Sequence, residues 1–137
     1  MIAVFDGEYA FLSNFYERQV VYQGLTYGSS EAAFQAQKTA SAEERQVFTA
    51  LTPMQSKKMG RKITLRPDWE KVKTQVMYEI VLAKFTQNTD LAEKLLATGD
   101  QELVEGNYWK DTCWGVCNGV GENRLGKILM RVREEIK

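Results

Sequence analysis

Helix start and stop signals between residues 29 and 99 constrain the fold of this chain more than any other feature of its sequence. Ser41 and Glu44 have the spacing of a capping box, and Thr52 precedes Pro53 in a second one, with proline at the first helical position. After Asp68, apolar residues recur with the period of an α-helix. These patterns predict five helices, at residues 31 to about 40, 41 to about 51, 52–60, a long helix from 68, and 90–99.

The regions on either side of these helices are expected to supply a small β element and a last helix. Gln23-Gly24 lies between two short apolar runs and predicts a β-hairpin. Apolar residues from Leu125 to Ile136 predict a terminal helix. The predicted strands are Ile2–Phe5, Val20–Tyr22, Leu25–Tyr27 and Leu103–Glu105. No repeat or linker interrupts the chain, so residues 1–137 are expected to form a single compact domain, mainly α within the α+β class.

The chain contains no histidine, and this absence limits the chemistry that it can perform. It excludes a Ser-His-Asp triad, a Cys-His dyad and a histidine-ligated metal centre. Acid–base chemistry must then use carboxylates, lysine, tyrosine or cysteine. Cys113 and Cys117 are too few for a disulfide framework and poorly spaced for zinc, so we expect two reduced thiols, no metal and no cofactor.

The charge is balanced, with 18 basic and 18 acidic residues and a pI of about 6.3. Tight sequence-independent binding to nucleic acid requires a basic excess, so a small ligand or a short, locally contacted stretch of nucleic acid fits better. No apolar run approaches the roughly 20 residues of a membrane span, and the N-terminus lacks the pattern of a signal peptide. We therefore expect a cytoplasmic protein with no membrane association and no evident obligate protein partner.

Three polar residues of the first predicted helix, Glu31, Gln35 and Lys38, follow the i, i+4, i+7 spacing of one helix face. Helical side chains lean toward the N-terminus, so the Lys38 amine can reach back toward the Glu31 carboxylate. One interpretation is a reactive carboxylate–amine pair. The other is an amphipathic surface helix, whose loose ion pair contributes less than about 1 kcal/mol. The spacing alone leaves both open.

Residues 107–115 combine two tryptophans with a carboxylate. Trp109 and Trp114 are costly to leave exposed, and Asp111 between them is either a desolvated carboxylate or a hydrogen-bond anchor. The alternative is a small core beneath a long loop. Residues 11–16 pose a similar choice for Asn14, because a buried amide needs a partner from a ligand or from the backbone.

Residues 119–126 place glycines directly before the last helix, where free backbone N–H groups and the helix dipole attract anions. A phosphate suits this position. The segment is not a dinucleotide-binding fingerprint, because no strong strand precedes it and no βαβ unit surrounds it. Glycine turns before helices are also commonplace, so the motif by itself is weak.

Together and in this order, these segments resemble the YbiA-like or NADAR domain family. The resemblance runs from about residue 4 to 135. Its motifs are Phe11-Leu12-Ser13-Asn14-Phe15; Gly24 and Tyr27 with Ser30-Glu31 and Phe34-Gln35-Ala36-Gln37-Lys38; Trp69, Met77 and Lys84-Phe85; Asp111 with Trp114-Gly115; and Gly121, Asn123, Leu125-Gly126, Leu129-Met130 and Arg133.

Members of this family are small, mostly helical N-glycosidases, so the resemblance implies hydrolysis of an N-ribosidic bond in a phosphate-bearing, nucleoside-like substrate. Some act on ribosylaminopyrimidine intermediates of riboflavin synthesis, and others remove ADP-ribose from guanine bases. The resemblance implies that Glu31 and Lys38 belong to the active site, with Asn14, Trp69, Asp111, Trp114 and Asn123 around it. We expect the catalytic residues to be Lys38, Glu31 and Asp111, and the substrate-binding residues to be Asn14, Gln35, Trp69, Trp109, Trp114, Gly115, Gly121 and Asn123.

The sequence departs from the family pattern at two places. Ala32 and Ala33 stand where relatives often carry histidine or an aromatic residue, and Cys117 replaces a usual glycine. These changes bear on substrate choice more than on the reaction.

Two mechanisms and two other functions are compatible with these residues. A neutral Lys38 can form a Schiff base with the sugar, assisted by Glu31, or two carboxylates can activate water directly. The substrate is expected to be a small nucleotide-like molecule or ADP-ribosylated guanine in nucleic acid. The alternative function is a non-catalytic module that binds ADP-ribose or a related nucleotide. A structural or partner-binding domain is the third hypothesis.

Overall fold

Helices make up about half of the chain, and the computed structural model describes residues 1–137. The helices are α1 (Ser30–Ala36), α2 (Ala42–Val47), α3 (Pro53–Met59), α4 (Trp69–Gln87), α5 (Thr89–Ala97) and α6 (Arg124–Glu135). The strands are β1 (Glu17–Tyr22), β2 (Leu25–Ser29), β3 (Gly106–Asn107) and β4 (Val116–Cys117). Two 3-10 helices cover Gly7–Leu12 and Phe48–Ala50. This arrangement confirms the prediction of a mainly helical α+β fold.

The chain divides into two compact units. The central unit comprises Asn14–Gln87, and the terminal unit comprises Met1–Ser13 with Asn88–Lys137. Each unit has its own two-stranded sheet, β1 with β2 and β3 with β4. No helix in the structure is long and apolar enough to cross a membrane.

The predicted hairpin is confirmed in the central unit. Strands β1 and β2 pair antiparallel, with Val20 opposite Tyr27 and Tyr22 opposite Leu25. Gln23 and Gly24 both have positive φ, at 48° and 84°, as a two-residue hairpin turn requires. The hairpin and α1 pack against α4, which buries a broad face that includes Met77, Ile80 and Phe85. Helix α1 therefore packs against both the hairpin and α4.

Helix α1 begins as predicted but ends earlier than expected. The Ser29 hydroxyl caps its N-terminus by accepting a bond from the Ala32 amide at 3.1 Å. The predicted end near residue 40 is wrong, because the helix stops at Ala36. The Gln37 side chain donates to the Ala33 carbonyl at 3.0 Å, and the Arg66 amide donates to the Lys38 carbonyl at 2.8 Å. Both bonds hold this segment in a turn, so Lys38 lies just beyond the helix that carries Glu31.

The other helices of the central unit follow their sequence signals. The Ser41 hydroxyl accepts from the Glu44 amide at the start of α2. Thr52 and Gln55 form both bonds of a capping box at α3. At α4, the Asp68 carbonyl accepts from the amides of the first turn, while its carboxylate holds Arg66 at 2.6 Å. Asp68 therefore begins the helix through its backbone rather than its side chain.

The terminal unit packs α5 against α6. The buried Arg133 of α6 ties them further, since Nη1 donates to the Thr98 hydroxyl and to the Gln101 carbonyl, both at 2.9 Å. The predicted strands at 2–5 and 103–105 are wrong, because these segments share a single parallel bridge, between Ile2 and Leu103. The Val104 and Gly106 amides donate to the Ile2 and Ala3 carbonyls, and from Gly106 onward the chain pairs with β4 instead.

Candidate functional site

The Glu31 carboxylate is the central feature of the candidate site in the central unit. Its side chain is only 8% exposed, in the first turn of α1. Gln35, one turn later and equally buried, donates from Nε2 to Oε2 of Glu31 at 2.8 Å. This bond leaves Oε1 of Gln35 buried without a hydrogen-bond partner. The surface-helix interpretation is therefore excluded for these two residues.

Asn14 anchors the start of α1. Its backbone carbonyl accepts from the Glu31 amide at 3.0 Å, and its Oδ1 accepts from the Ser30 hydroxyl at 2.9 Å. Its Nδ2 contacts the Met77 sulfur at 3.4 Å. The amide thus has its partners inside the protein, from the helix it supports and from α4. Ser30 and Met77 both belong to the motifs, but only the structure shows that they contact Asn14.

Lys38 lies close enough to this carboxylate for the two charges to interact. Burial lowers the pKa of the Lys38 amine, and the Glu31 carboxylate opposes this by raising it. The neighbouring cations Arg61 and Lys73 lower the same pKa further. Lys38 is thus shifted toward the neutral amine, which is the nucleophilic form.

Trp69, the first residue of α4, packs on α1 rather than into open space. Its side chain is 5% exposed, and its ring lies 5.1 Å from the Phe34 ring at an angle of 51°. Such tilted pairs stabilise cores. In this structure Trp69 supports the back of the helix that carries Glu31.

Lys84 of α4 is a buried lysine that belongs to the Lys84-Phe85 motif. Its side chain is 1% exposed, and its Nζ lies 5.7 Å from the Tyr16 ring centre and 5.3 Å from that of Phe85. Burial, with a further contribution from Arg18, lowers its pKa to about 7. The signal in the sequence was a lysine within the apolar stretch 80–85 of a long helix.

In the terminal unit, Asp111 organises the loop that contains both remaining tryptophans. Its Oδ1 accepts from the amides of Cys113 at 3.1 Å and Trp114 at 2.9 Å. The Asn107 side chain donates to the Asp111 carbonyl and accepts from its amide. This geometry is that of a hydrogen-bond anchor, and Oδ2 of Asp111 has no bonded partner. Trp114 is half-buried, whereas Trp109 is 50% exposed.

The start of α6 is occupied by the protein's own backbone. The amides of Asn123, Arg124 and Leu125 donate to the carbonyls of Gly115, Cys113 and Trp114, respectively. The Asn123 side chain is also engaged, accepting from the Glu105 amide at 3.0 Å and donating to the Leu103 carbonyl at 2.9 Å. These three amides are therefore not open to a phosphate.

Gly115 and Gly121 allow this close packing. A Cβ on Gly115 would lie 2.2 Å from the Glu105 carbonyl oxygen, and one on Gly121 would lie 2.2 Å from the Gly115 oxygen. Cys113 and Cys117 are both free thiols. No group of three or more cysteines and carboxylates is arranged to hold a metal ion.

Comparison with known protein families matches residues 4–137 to the NADAR domain. The chain belongs to the NADAR domain family. This confirms the family resemblance seen in the motifs. The NADAR domain spans residues of both the central and the terminal unit.

The relatives of this NADAR domain include two proteins of similar length and one much longer protein. The N-glycosidase of Nostoc punctiforme is 42% identical over 136 residues, covering 94% of this chain and 86% of that protein. N-glycosidase YbiA of Escherichia coli is 40% identical over 133 residues, covering 94% and 82%. A riboflavin biosynthesis protein of Vibrio vulnificus is 42% identical over 136 residues, and this chain spans only 37% of its length.

The fold of the NADAR domain is also found in a solved structure. The NMR structure of the Escherichia coli protein YbiA covers 99% of this chain and 84% of its own, with a TM-score of 0.88 and 38% identity. The two chains thus share both sequence and architecture.

Proposed function

We propose that this chain is an N-glycosidase that hydrolyses the N-ribosidic bond of a phosphate-bearing, nucleoside-like substrate. The observation that carries the proposal is the buried Glu31 carboxylate, held by Gln35 beside a lysine whose pKa is lowered. Relatives named N-glycosidases cover most of this chain, which supports a hydrolase acting on N-glycosyl bonds. Cleavage of such a bond requires an acid–base group, which Glu31 supplies, and a nucleophile.

The Schiff-base route uses both members of the pair. As the C1′–O4′ bond of the ribose opens, Glu31 donates a proton to O4′, and the neutral Lys38 amine adds to C1′. The C1′–N bond then breaks, and the base leaves with the proton that the Lys38 nitrogen loses. Water adds to the resulting iminium carbon and returns a proton to Glu31. The carbinolamine then collapses to free the Lys38 amine and the open-chain sugar aldehyde, which closes again to ribose, so that one water is consumed for each base released.

The competing route uses water directly and needs a second carboxylate. Glu31 would activate the water, and Asp111 is the residue predicted either to act as the second carboxylate or to orient a ribose hydroxyl. In this route the amine of Lys38 stabilises charge without forming a bond. Detection of a covalent adduct at Lys38 would therefore distinguish the Schiff-base route from direct attack by water.

The phosphate of the substrate suits the cations that surround Lys38. Arg61 and Lys73 act on the Lys38 amine, and neither residue is fully buried. Arginine binds phosphate oxygens in a bidentate manner. We propose that this group, rather than the start of α6, holds the anionic end of the substrate. Trp109 and Trp114 remain proposed contacts for the base. Asn14, Trp69, Gly115, Gly121 and Asn123 are proposed to support the site through the internal contacts described above, and we propose that residues 1–137 act as one domain.

An activity panel tests this function and identifies the substrate. A ribosylaminopyrimidine phosphate, and ADP-ribosylated guanine in DNA and in RNA, are incubated with wild type, Lys38→Ala and the control Lys62→Ala. We expect base release from one substrate class by wild type and Lys62→Ala only. Borohydride reduction should trap an adduct at Lys38 if the Schiff-base route operates. Binding of ADP-ribose without release of any base would instead indicate the non-catalytic binding module.

A further inference from the structure

A cavity of about 410 Å³ lies in the terminal unit, at the C-terminal end of α5. The volume is within the roughly 300–1,000 Å³ typical of small-molecule sites. The residues that line it come from the 3-10 helix Gly7–Leu12, from α5 and from the turn that follows α5, and they include Glu8, Tyr9, Phe11, Lys94, Thr98 and Gln101. None of them takes part in the proposed function.

The wall of this cavity carries two opposite charges that do not neutralise each other. Glu8 and Lys94 are both exposed, and they form no ion pair with each other or with a third residue. The Lys94 Nζ lies over the Phe11 ring, 5.8 Å from its centre, and this cation–π contact holds the ammonium at the wall. Two unpaired charges of opposite sign in one cavity suit a ligand that carries both signs.

A further positive charge lies behind the wall. Arg133 of α6 is 4% exposed, and its Nη1 donates to the Thr98 hydroxyl and to the Gln101 carbonyl, both at 2.9 Å. Its Nε is buried without a hydrogen-bond partner, and no carboxylate pairs with the guanidinium. A buried cation that is bound only by neutral oxygens keeps an uncompensated charge, which is costly. An anionic group beside Lys94, one turn before Thr98 on α5, would reduce that cost.

The cationic end of a ligand is matched by Glu8 and by the end of α5. The C-terminal end of a helix carries partial negative charge and attracts cations. Ala97, the last residue of α5, lines the cavity together with Glu8. The rings of Tyr9 and Phe11 add apolar surface to the same wall. The cavity therefore offers partners for a carboxylate, an ammonium group and an apolar side chain.

We propose that this cavity binds a free α-amino acid with an apolar side chain. The carboxylate of the ligand lies at Lys94, on the side of the cavity that Arg133 backs. Its ammonium group donates to the Glu8 carboxylate, and its side chain packs on Tyr9. The site shares no residue with the Glu31–Lys38 pair, so its binding requires no turnover.

The test compares L-phenylalanine with two analogues that each lack one charge, 3-phenylpropionate without the ammonium group and phenethylamine without the carboxylate. Calorimetric titration of the full chain gives the affinities, and backbone amide shifts at Thr98 and Gln101 in NMR spectra locate the ligand. We expect L-phenylalanine to bind about tenfold more tightly than either analogue, because each analogue loses a charge-assisted hydrogen bond. Glycine, which has both charges but no ring, should also bind about tenfold more weakly, because it buries no apolar side chain.

Neutral variants assign each charge of the ligand to its partner. Glu8→Gln should lower the affinity for L-phenylalanine to that for 3-phenylpropionate, whose own affinity should not change. Lys94→Gln should have the corresponding effect relative to phenethylamine. Glu93→Gln and Lys127→Gln are the matched controls, since both residues are exposed in the same unit and lie outside the cavity.

Three results would overturn the proposal. They are equal affinity for the three ligands, no binding of L-phenylalanine, and a preference for L-phenylalanine that survives in Glu8→Gln or in Lys94→Gln. Because Glu8 and Lys94 are exposed, both variants should keep the thermal unfolding midpoint of wild type, so a lost preference reports on binding rather than on folding. If L-phenylalanine binds as expected but no substrate releases a base, the amino acid site stands and the proposed function fails.

Discussion

Gln35 Nε2 donates a 2.8 Å hydrogen bond to Oε2 of Glu31, and both side chains are buried within one turn of α1. The bond fixes the direction of the carboxylate. The unbonded Oε1 of Gln35 faces Gly60, where a Cβ would lie 2.0 Å away. The amide thus costs desolvation energy that an apolar side chain would not, which indicates a positioning role.

Replacement of Gln35 by methionine should separate positioning from stability. We expect Gln35→Met to lower kcat for base release by about tenfold or more, because the carboxylate loses its orienting bond. The midpoint of thermal unfolding should stay within a few degrees of wild type, since methionine fills the site without an unpaired oxygen. Gln46→Met, on the exposed α2, is the matched control. Unchanged kcat in Gln35→Met would contradict the positioning role.

The lowered pKa of Lys38 predicts that the rate of base release depends on pH. Only the neutral amine attacks, so kcat/KM should rise with pH and level off below the ordinary lysine pKa of 10.5, because burial lowers the pKa of Lys38. Arg61 contributes to this lowering. Arg61→Ala should therefore move the rising limb to higher pH and raise KM for a phosphorylated substrate.

The neighbouring exposed cation provides the control for this profile. Lys62→Ala should leave the rising limb in place, because Lys62 is not among the groups that shift the Lys38 pKa. Kinetics from pH 6 to about 10 would measure both variants. A limb that moves to lower pH in Arg61→Ala would be inconsistent with the proposed role of the Lys38 amine.

The lowered pKa of Lys84 predicts that the stability of the fold depends on pH. Its pKa is about 7 in the folded protein and near 10.5 in the unfolded chain, so the unfolded state binds more protons between these values. The free energy of unfolding should therefore rise with pH from about 7 to 10.5, by at most about 1.4 kcal/mol per pH unit from this residue. Lys84→Met should remove that contribution.

Urea denaturation at about pH 7.5 and about pH 9.5 gives the change in unfolding free energy between the two pH values, which is then compared between wild type and variant. The gain in unfolding free energy between the two pH values should be smaller in Lys84→Met than in wild type. Lys94→Met, an exposed lysine on α5, controls for the loss of any one lysine. Equal gains in wild type and Lys84→Met would contradict the shifted pKa.

Substitution of Gly121 is expected to destabilise the fold rather than to impair ligand binding directly. Gly121→Ala should destabilise the fold by about 2 kcal/mol or more, because φ is 152° and a Cβ would collide with the Gly115 carbonyl. Gly119→Ala, with φ 76° but open space around its Cβ, should cost only about 1 kcal/mol. Chemical denaturation of both variants gives the comparison, and equal losses would show that the close approach carries no energy.

Local signals in the sequence predicted most helices and the hairpin. The capping box of Thr52 and Gln55 depends on neighbouring residues alone. The turn at Gln23-Gly24 is likewise determined by its own two residues. The end of α1 was not predictable in this way, because the Arg66 amide that binds the Lys38 carbonyl comes from 28 residues later.

The candidate site shows the same division between local and distant determinants. The spacing of Glu31 and Gln35 predicted their bond, since it is an i, i+4 contact. The burial of Glu31, the cations near Lys38 and the amides occupied at the start of α6 all depend on distant segments. The anion site expected at residues 119–126 illustrates this, because loop carbonyls at 113–115 accept hydrogen bonds from the amides that a phosphate would need.

The contact between Asn14 and the first turn of α1 also links the assembly of the site to the pairing of the hairpin strands. Asn14 and Ser30 flank the hairpin, and Glu17 pairs with Ser29 at its open end. A helix of seven residues is unstable alone. The position of the Glu31 carboxylate therefore depends on the register of the hairpin, and a slip of one residue would invert the strand faces and misplace it.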